Sequence, residues 1–244
     1  MSSLSIVIPV FNERDNIAPL VHEVVQHLRG HIAFEIVCVD DHSDDDTRDV
    51  LARLKHDVHE LRVMSLQHRC GQSFAIRTGV KHALSPWIAT LDGDGQNDPA
   101  DILRLLQARM EADTKTRLFA GWRVDRQDPA SKRWASRWAN GIRQWLLHDS
   151  TPDTGCGIKL FERAAFLDLP YFDHMHRYLP ALMQRAGWKT VSVPVSHRPR
   201  HSGQSKYTNL GRALVGVRDL MGVSWLIRRS QTASINEIGA VHGP

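Results

Sequence analysis

Asp92 and Asp94 stand one residue apart, split by Gly93, where the apolar run Trp87-Ile88-Ala89-Thr90-Leu91 breaks off. Two carboxylates that close together suit a core poorly and a divalent cation well. Mg²⁺ takes oxygen ligands and often binds through one or two carboxylates plus substrate phosphates. In open α/β sheets, ligands sit beyond the carboxyl ends of the strands. The pair is therefore placed to hold Mg²⁺ or Mn²⁺ and, through it, a diphosphate. On spacing alone a solvated turn would also fit. An EF-hand calcium loop is excluded, because it needs Gly and Glu where Asn97 and Leu103 stand.

Two other apolar runs end on polar clusters, Pro9-Val10-Phe11-Asn12-Glu13 and Asp40-Asp41-His42-Ser43. Acids at neighbouring strand ends can hydrogen-bond a ribose or a base. Asp44 to Asp46 suit helix capping and dipole compensation instead. Asp40 and Asp41 follow directly on a buried strand, where consecutive acids need another reason. No P-loop or GxGxxG is present, since Gly155-Cys156-Gly157 lacks the third glycine. Asp173-His174-Met175-His176-Arg177 resembles a metal tract, yet no His or Cys follows at zinc spacing. A loop facing an acceptor or a membrane is the better reading of it.

The elements that must position these groups alternate. Leu4 to Val10, Glu35 to Val39, Leu61 to Leu66, Trp87 to Leu91 and Arg117 to Gly121 read as strands. Ile17, Leu20, Val21, Val24, Val25 and Leu28 form a helical stripe, with Gly30 as its stop. Thr47 to His56 and Gln72 to Leu84 are further helices, and Pro99 opens another at the position that tolerates proline. Strand–helix alternation with nearly continuous apolar strands predicts an α/β fold, a parallel sheet with helices on both faces.

Beyond about residue 125 the pattern changes. Pro129 to His148 is helical and carries Trp134, Trp138, Ile142 and Trp145, interleaved with Lys132, Arg133, Arg137 and Arg143. Leu210, Leu214, Val217, Met221 and Trp225 mark a second amphipathic stretch, with Arg212, Arg218, Arg228 and Arg229 nearby. A core-packing helix would satisfy the first stripe. Trp at headgroup level with Arg and Lys against anionic lipid accounts for it better. Residues from about 231 on are small and polar, and are expected to fray.

Composition bounds the rest. The chain has 244 residues, 42% of them hydrophobic, enough for one large domain or two small ones. A net charge of +4 is too mild to argue for nucleic acid and is compatible with an anionic membrane surface. Cys38, Cys70 and Cys156 form no CxxC pair, and Cys38 lies inside a strand pattern, which favours a reduced, cytoplasmic protein. There is no signal-peptide pattern and no run of about 18 apolar residues that would span a bilayer.

Taken in order, Ile8-Pro9-Val10-Phe11-Asn12-Glu13, Val39-Asp40-Asp41-His42-Ser43 with Thr47, and Asp92-Gly93-Asp94-Gly95-Gln96 resemble the family-2 glycosyltransferases of GT-A fold. Ala120-Gly121-Trp122-Arg123, the segment Asp153 to Phe161, and Arg200-His201-Ser202-Gly203-Gln204-Ser205-Lys206 resemble the dolichyl and polyprenyl-phosphate sugar transferases among them. The resemblance covers roughly residues 4–230. It implies one GT-A domain with a mixed, mainly parallel sheet. Residues 1–125 would be the nucleotide-sugar half, 126–230 the acceptor and membrane half, and 231–244 a tail.

By the same resemblance, Pro9, Phe11, Glu13, Val39 and Asp41 would line the base and ribose. Asp92 and Gly93 would contact the nucleotide sugar, and Asp94 and Gln96 would ligate Mg²⁺ or Mn²⁺. Arg123, Arg200 and Lys206 would hold donor or acceptor phosphate, with Asp153 and Lys159 in the same substrate-binding set. Asp92, Asp94, Arg123 and Lys206 are the catalytic candidates. Gly93 stands where the family often has Ala, and Ile158-Lys159 where it usually has Phe-Arg. Lys binds phosphate as a point charge, not as a planar fork. A Gln-x-x-Arg-Trp motif of processive synthases is absent, the nearest match being Ser131-Lys132-Arg133-Trp134, which favours a single transfer.

The expected partners are a UDP- or GDP-linked sugar, a polyprenyl phosphate and the cytoplasmic face of the cell membrane. An integral membrane partner and a homo-oligomer stay open. Transfer to a glycan or protein acceptor, or a non-catalytic nucleotide-sugar-binding subunit, are the alternatives.

Overall fold

Among the described residues seven strands lie in one sheet in the order β3-β2-β1-β4-β6-β5-β7. This computed structural model describes residues 4–124, 141–149, 151–196, 198 and 209–231. The strands are β1 Leu4–Val10, β2 Phe34–Asp40, β3 Leu61–Ser65, β4 Trp87–Thr90, β5 Thr116–Arg123, β6 Lys159–Glu162 and β7 Lys189–Val195. The helices are α1 Ile17–Leu28, α2 Thr47–Asp57, α3 Gln72–His82, α4 Asp101–Glu111, α5 over 141–147, α6 Arg163–Leu167, α7 Leu179–Arg185 and α8 Asn209–Arg228.

β1 explains the layering. Leu4, Ile6, Ile8 and Val10 point to one face and join Ile17, Leu20, Val21 and Val24 of α1 in one apolar cluster. Val7 points to the other, against Ala75, Ile76 and Val80 of α3. A strand buried on both faces reads as a continuous apolar run because both sets of side chains face helices. The α1 stripe read from the sequence is the buried face of that helix, residue for residue. α3 packs so tightly on β1 that a Cβ at Gly79 would stand 2.5 Å from a Val7 methyl.

β1, β2, β3 and β4 pair in parallel, as the alternation predicts. The sheet is nevertheless mixed, because β6 runs antiparallel between β4 and β5. β7 then adds in parallel to β5. Neither β6 nor β7 carries a strand pattern strong enough to be read in advance. One boundary needs correcting: α4 begins at Asp101, not at Pro99, because Pro99 and Ala100 form the preceding turn and Asp98 Oδ1 accepts from Ala100 N at 3.0 Å. The expected helix over 129–148 is seen as α5, its earlier part lying outside the described residues, as do the tail residues 232–244.

Candidate active site

The carboxyl ends of β1, β2 and β4 open into a cleft of about 430 Å³. Its floor is stitched together by the polar residues at the strand ends. Asp41 N donates to Val10 O at 2.8 Å, Asn12 N to Ser43 Oγ at 2.9 Å, and Glu13 N to Thr47 Oγ1 at 2.9 Å. Asn12 takes the left-handed backbone at φ 55°, which Asn tolerates and which turns the chain out of β1.

The consecutive acids divide the work. Asp40 is fully buried and accepts from Ser43 N, Arg48 Nε and Ser65 Oγ, so its carboxylate ties three segments together. Asp41 lines the cleft, and its two oxygens accept from Cys70 N at 2.7 Å and Gly71 N at 2.8 Å. Asp41 thereby fixes the loop that leads into α3. Arg69 on that loop lays its guanidinium 3.9 Å above the Phe11 ring, and both line the cleft. Pro9 and Glu13 line it as well. Val39 does not: it is fully buried and packs against α3 beneath the cleft.

Asp92, Gly93 and Asp94 sit on the cleft wall directly after β4. Gln72 Nε2 donates to Asp92 Oδ1 at 2.8 Å. Burial, and then the Asp94 charge, push the Asp92 carboxyl up from its usual range, against the pull of Lys159 and Arg123. A Cβ at Gly93 would stand 3.1 Å from the Pro9 carbonyl oxygen, so the smaller residue fits where the family often has Ala. Asp94 is nearly buried, and its Oδ1 accepts from Gln96 N at 3.2 Å. The Gln96 carbonyl accepts from Arg198 N at 3.0 Å.

The donor set fits a hard cation. Burial and the neighbouring Asp94 charge raise the Asp92 cost of ionisation, a deficit that a divalent ion relieves, and Asp94 and Gln96 offer oxygens within one turn. Among the described residues no cluster of three or more His, Cys, Asp or Glu forms a complete metal cage.

The far wall comes from the second half of the chain. Thr154 to Gly157 and Lys159 line it, joined by His176 and Arg177. Gly157 lies against Asp92, and Thr90 Oγ1 donates to its carbonyl at 2.7 Å. Arg123 grips Asp153 through Nε at 2.7 Å and Nη2 at 2.9 Å. Burial opposes the Arg123 charge, yet Asp153 holds its pKa above the usual value. Arg123 is thus a fork bound to a carboxylate beside the cleft.

Lys159 is 4% exposed, and its ammonium donates to the Cys156 carbonyl. Burial pulls its pKa down. His176 Nδ1 lies 2.7 Å from Ser73 Oγ, and burial, then Lys159 and Arg177, push its pKa well below 6.5. Arg200 and Lys206 lie outside the described residues.

The cleft therefore collects Pro9, Phe11, Glu13, Asp41, Asp92, Gly93, Asp94 and Lys159, with Arg123, Asp153 and Gln96 at its margin. Arg69, Gln72, Ser73 and Gly157 were not singled out as site residues. The Gly-Gln-Ser run opening an apolar-periodic helix beside Arg69 was the available signal for the first three. His176 belongs to the stretch that the sequence assigns to a loop facing acceptor or membrane, and it lines the cleft.

The sequence model described as glycosyl transferase family 2 matches residues 5–169. Dodecaprenyl-phosphate galacturonate synthase of Rhizobium johnstonii is 33% identical over 239 residues, 92% of this chain and 67% of that protein. Undecaprenyl-phosphate 4-deoxy-4-formamido-L-arabinose transferase of Edwardsiella ictaluri is 32% identical over 206 residues, 84% of this chain. The chain spans 62% of that second relative's length.

Among solved structures, glucosyl-3-phosphoglycerate synthase from Mycobacterium tuberculosis, in complex with Mn²⁺, UDP and glucosyl-3-phosphoglycerate, matches with a TM-score of 0.67 at 15% identity. That match covers 95% of this chain and 82% of the other. A mannosyltransferase from Pyrobaculum calidifontis in complex with GDP-Man and Mn²⁺ matches with a TM-score of 0.67 at 16% identity, covering 94% of this chain and 65% of the other. At these identities the likeness is one of fold.

Proposed function

The chain belongs to glycosyl transferase family 2, and on that premise we propose that it moves one sugar from a nucleotide diphosphate sugar to a polyprenyl phosphate. The product would be a lipid-linked sugar for cell-envelope glycan or lipid modification. The observation that carries this reading is the meeting of Asp92 and Asp94 with the ends of β1 and β2 in one cleft. A base and ribose would lie along Pro9, Phe11, Glu13 and Asp41. The diphosphate would then reach the acidic pair at the end of β4.

Asp94 and Gln96 would hold Mg²⁺ or Mn²⁺, which when bound supplies positive charge to the leaving diphosphate. Asp92 and Gly93 would meet the donor sugar. Lys159, with Arg123 beside it, would answer the negative charge of the phosphates, as would Arg200 and Lys206. An acceptor phosphate oxygen forms its bond to the anomeric carbon as the bond to the diphosphate breaks. That oxygen is already ionised, so no strong general base is required. Positioning and charge stabilisation then carry the rate.

The polyprenyl acceptor is supported by the names of both sequence relatives, each a polyprenyl-phosphate sugar transferase. We place the protein peripherally on the cytoplasmic face of the cell membrane. Val217, Met221 and Trp225 of α8 are 58%, 66% and 60% exposed, a stripe at steps of four with Arg218 and Arg228 alongside. Ile142 and Trp145 of α5 are exposed as well. Among the described residues no helix is long and apolar enough to cross a membrane, so the reading relies on surface contact.

The test incubates the protein with Mg²⁺ or Mn²⁺, undecaprenyl phosphate and labelled UDP-hexose, UDP-uronate or GDP-mannose in parallel. Label in the organic phase with one donor is the expected result. Nucleotide binding that depends on Asp94 with no organic label from any donor would move the reading to a different sugar or acceptor.

A further inference from the structure

Arg143 of α5 is 6% exposed although it carries a charge. Its Nη1 donates to Thr154 Oγ1 and its Nη2 to the Thr151 carbonyl. Gln144 Nε2 donates to the same carbonyl at 3.2 Å. Arg143 Nε lies 3.5 Å from Asp149 Oδ2, and both of these atoms are buried without a hydrogen-bond partner. Asp149 is 2% exposed, and its Oδ1 accepts from Thr151 N at 2.8 Å. Between the two charges His148 takes the left-handed backbone at φ 53°.

This arrangement is a poor device for stability. A buried ion pair is often matched or bettered by apolar residues of the same volume. Buried polar atoms left without partners, and a non-glycine residue at positive φ, each need a reason. The reason lies in what Arg143 grips. The segment 151–157 continues through Asp153, which holds the Arg123 fork, and Gly155 N donates back to Asp153 Oδ1 at 3.2 Å. It then forms the cleft wall from Thr154 to Gly157 and ends against the Asp92 carboxylate. Ile142 and Trp145 of the same helix are exposed, so the guanidinium, with Gln144 beside it, ties a surface helix to the wall of the site.

We propose that Arg143 is a positioning residue for the transfer reaction: by bridging Thr151 and Thr154 it sets segment 151–157, and through that segment the Arg123 fork and the Asp92 carboxylate. It acts through other residues and lies outside the cleft lining. The planar fork is required, because an ammonium is a point charge that cannot hold two oxygens in fixed directions. The proposal rests on the transferase reading above, and its test is built to fail separately from it.

Three proteins are compared with the wild type: Arg143→Lys, Arg143→Met, and the double variant Arg143→Met/Asp149→Asn. The double variant removes both charges and so avoids stranding one of them in the interior. Four quantities are read: Tm, backbone amide exchange across 151–157, binding of UDP with Mn²⁺ by calorimetry, and kcat with donor KM. The double variant is expected to keep the wild-type Tm and UDP binding. Exchange across 151–157 should rise on the order of tenfold, and kcat should fall about 50-fold with donor KM moving less than about threefold. Arg143→Lys should fall between the double variant and the wild type.

A double variant with wild-type exchange and wild-type kcat overturns the proposal. So does a loss of kcat that merely tracks a fall in Tm through all three variants. Should the wild type itself yield no lipid product, the exchange and UDP readouts still decide whether Arg143 sets the segment.

Discussion

Gly157 and Asp92 touch across the cleft so closely that a Cβ on Gly157 would stand 2.1 Å from Asp92 Oδ2 and 2.3 Å from its Cγ. No side chain fits there unless the carboxylate moves. Gly157→Ala is therefore expected to leave the fold intact and to swing Asp92 away from the donor sugar. A displacement of about 1 Å costs on the order of 100-fold in rate. Steady-state kinetics beside a circular dichroism spectrum check this. Gly93→Ala, where the Pro9 carbonyl stands at 3.1 Å, should cost much less.

Asp94→Ala should abolish transfer while Tm stays near that of the wild type. The variant also removes a like charge that pushes the Asp92 carboxyl up, so no new buried charge is stranded. Organic-phase label with the variant at the wild-type rate would sink the metal assignment. Calorimetric titration of Mn²⁺ in the presence of UDP should lose its binding signal in the same variant.

His176 gives a pH dependence whose sign follows from its burial. In the fold its pKa lies well below 6.5, driven first by desolvation and then by Lys159, Arg177 and His174. In the unfolded chain it titrates near about 6.5. Between those two values the unfolded chain binds more protons, so stability rises with pH there. The contribution is full above about pH 6.5 and is lost as pH falls below it, by at most about 1.4 kcal/mol per pH unit. Thermal unfolding from pH 7.5 to 5.5 should show a steeper loss of Tm in the wild type than in His176→Gln.

Met221→Glu/Trp225→Glu should release the protein from anionic vesicles without lowering Tm, because both side chains are mostly exposed. Sedimentation with vesicles of phosphatidylglycerol at low salt is the assay. Undiminished pelleting of the double variant would count against α8 as the lipid-facing surface. Raising salt should weaken wild-type pelleting, since any attraction of Arg218, Arg228 and Arg229 to anionic lipid would be screened.

Cys38 is buried in β2, and its thiol is pushed up to about 12 by that burial. The thiolate is the reactive form. Iodoacetamide at pH 8 should leave Cys38 unlabelled in the native protein and label it after unfolding. Native labelling at Cys38 would mean that the strand opens.

The first half of the fold was legible because β1, β2 and β4 are buried on both faces and each is followed by a helix with an apolar stripe. The acidic pair was legible for the opposite reason: Asp92 and Asp94 break a buried run with residues that no core wants. The second half was harder. β6 is only four residues long and antiparallel, and its Lys159 sits where a strand pattern would call for an apolar residue. β7 exposes Lys189, Val191 and Pro194, which blurs its period.

Val39 was legible as a strand residue but not as one facing away from the cleft, because alternation assigns faces only once the neighbouring helices are known. Gly157 acts by proximity to Asp92, 65 positions away in the chain, and no local spacing records that.

The antiparallel β6 has a mechanical consequence. It is hydrogen-bonded to β4 on one side and β5 on the other, so the strand that ends in the acidic pair and the strand that ends in Arg123 share one unbroken ladder. The two walls of the cleft cannot swing apart like jaws without tearing that ladder. Any opening of the cleft is therefore confined to segments that overhang the sheet. In this architecture the sheet is the fixed anvil of the site.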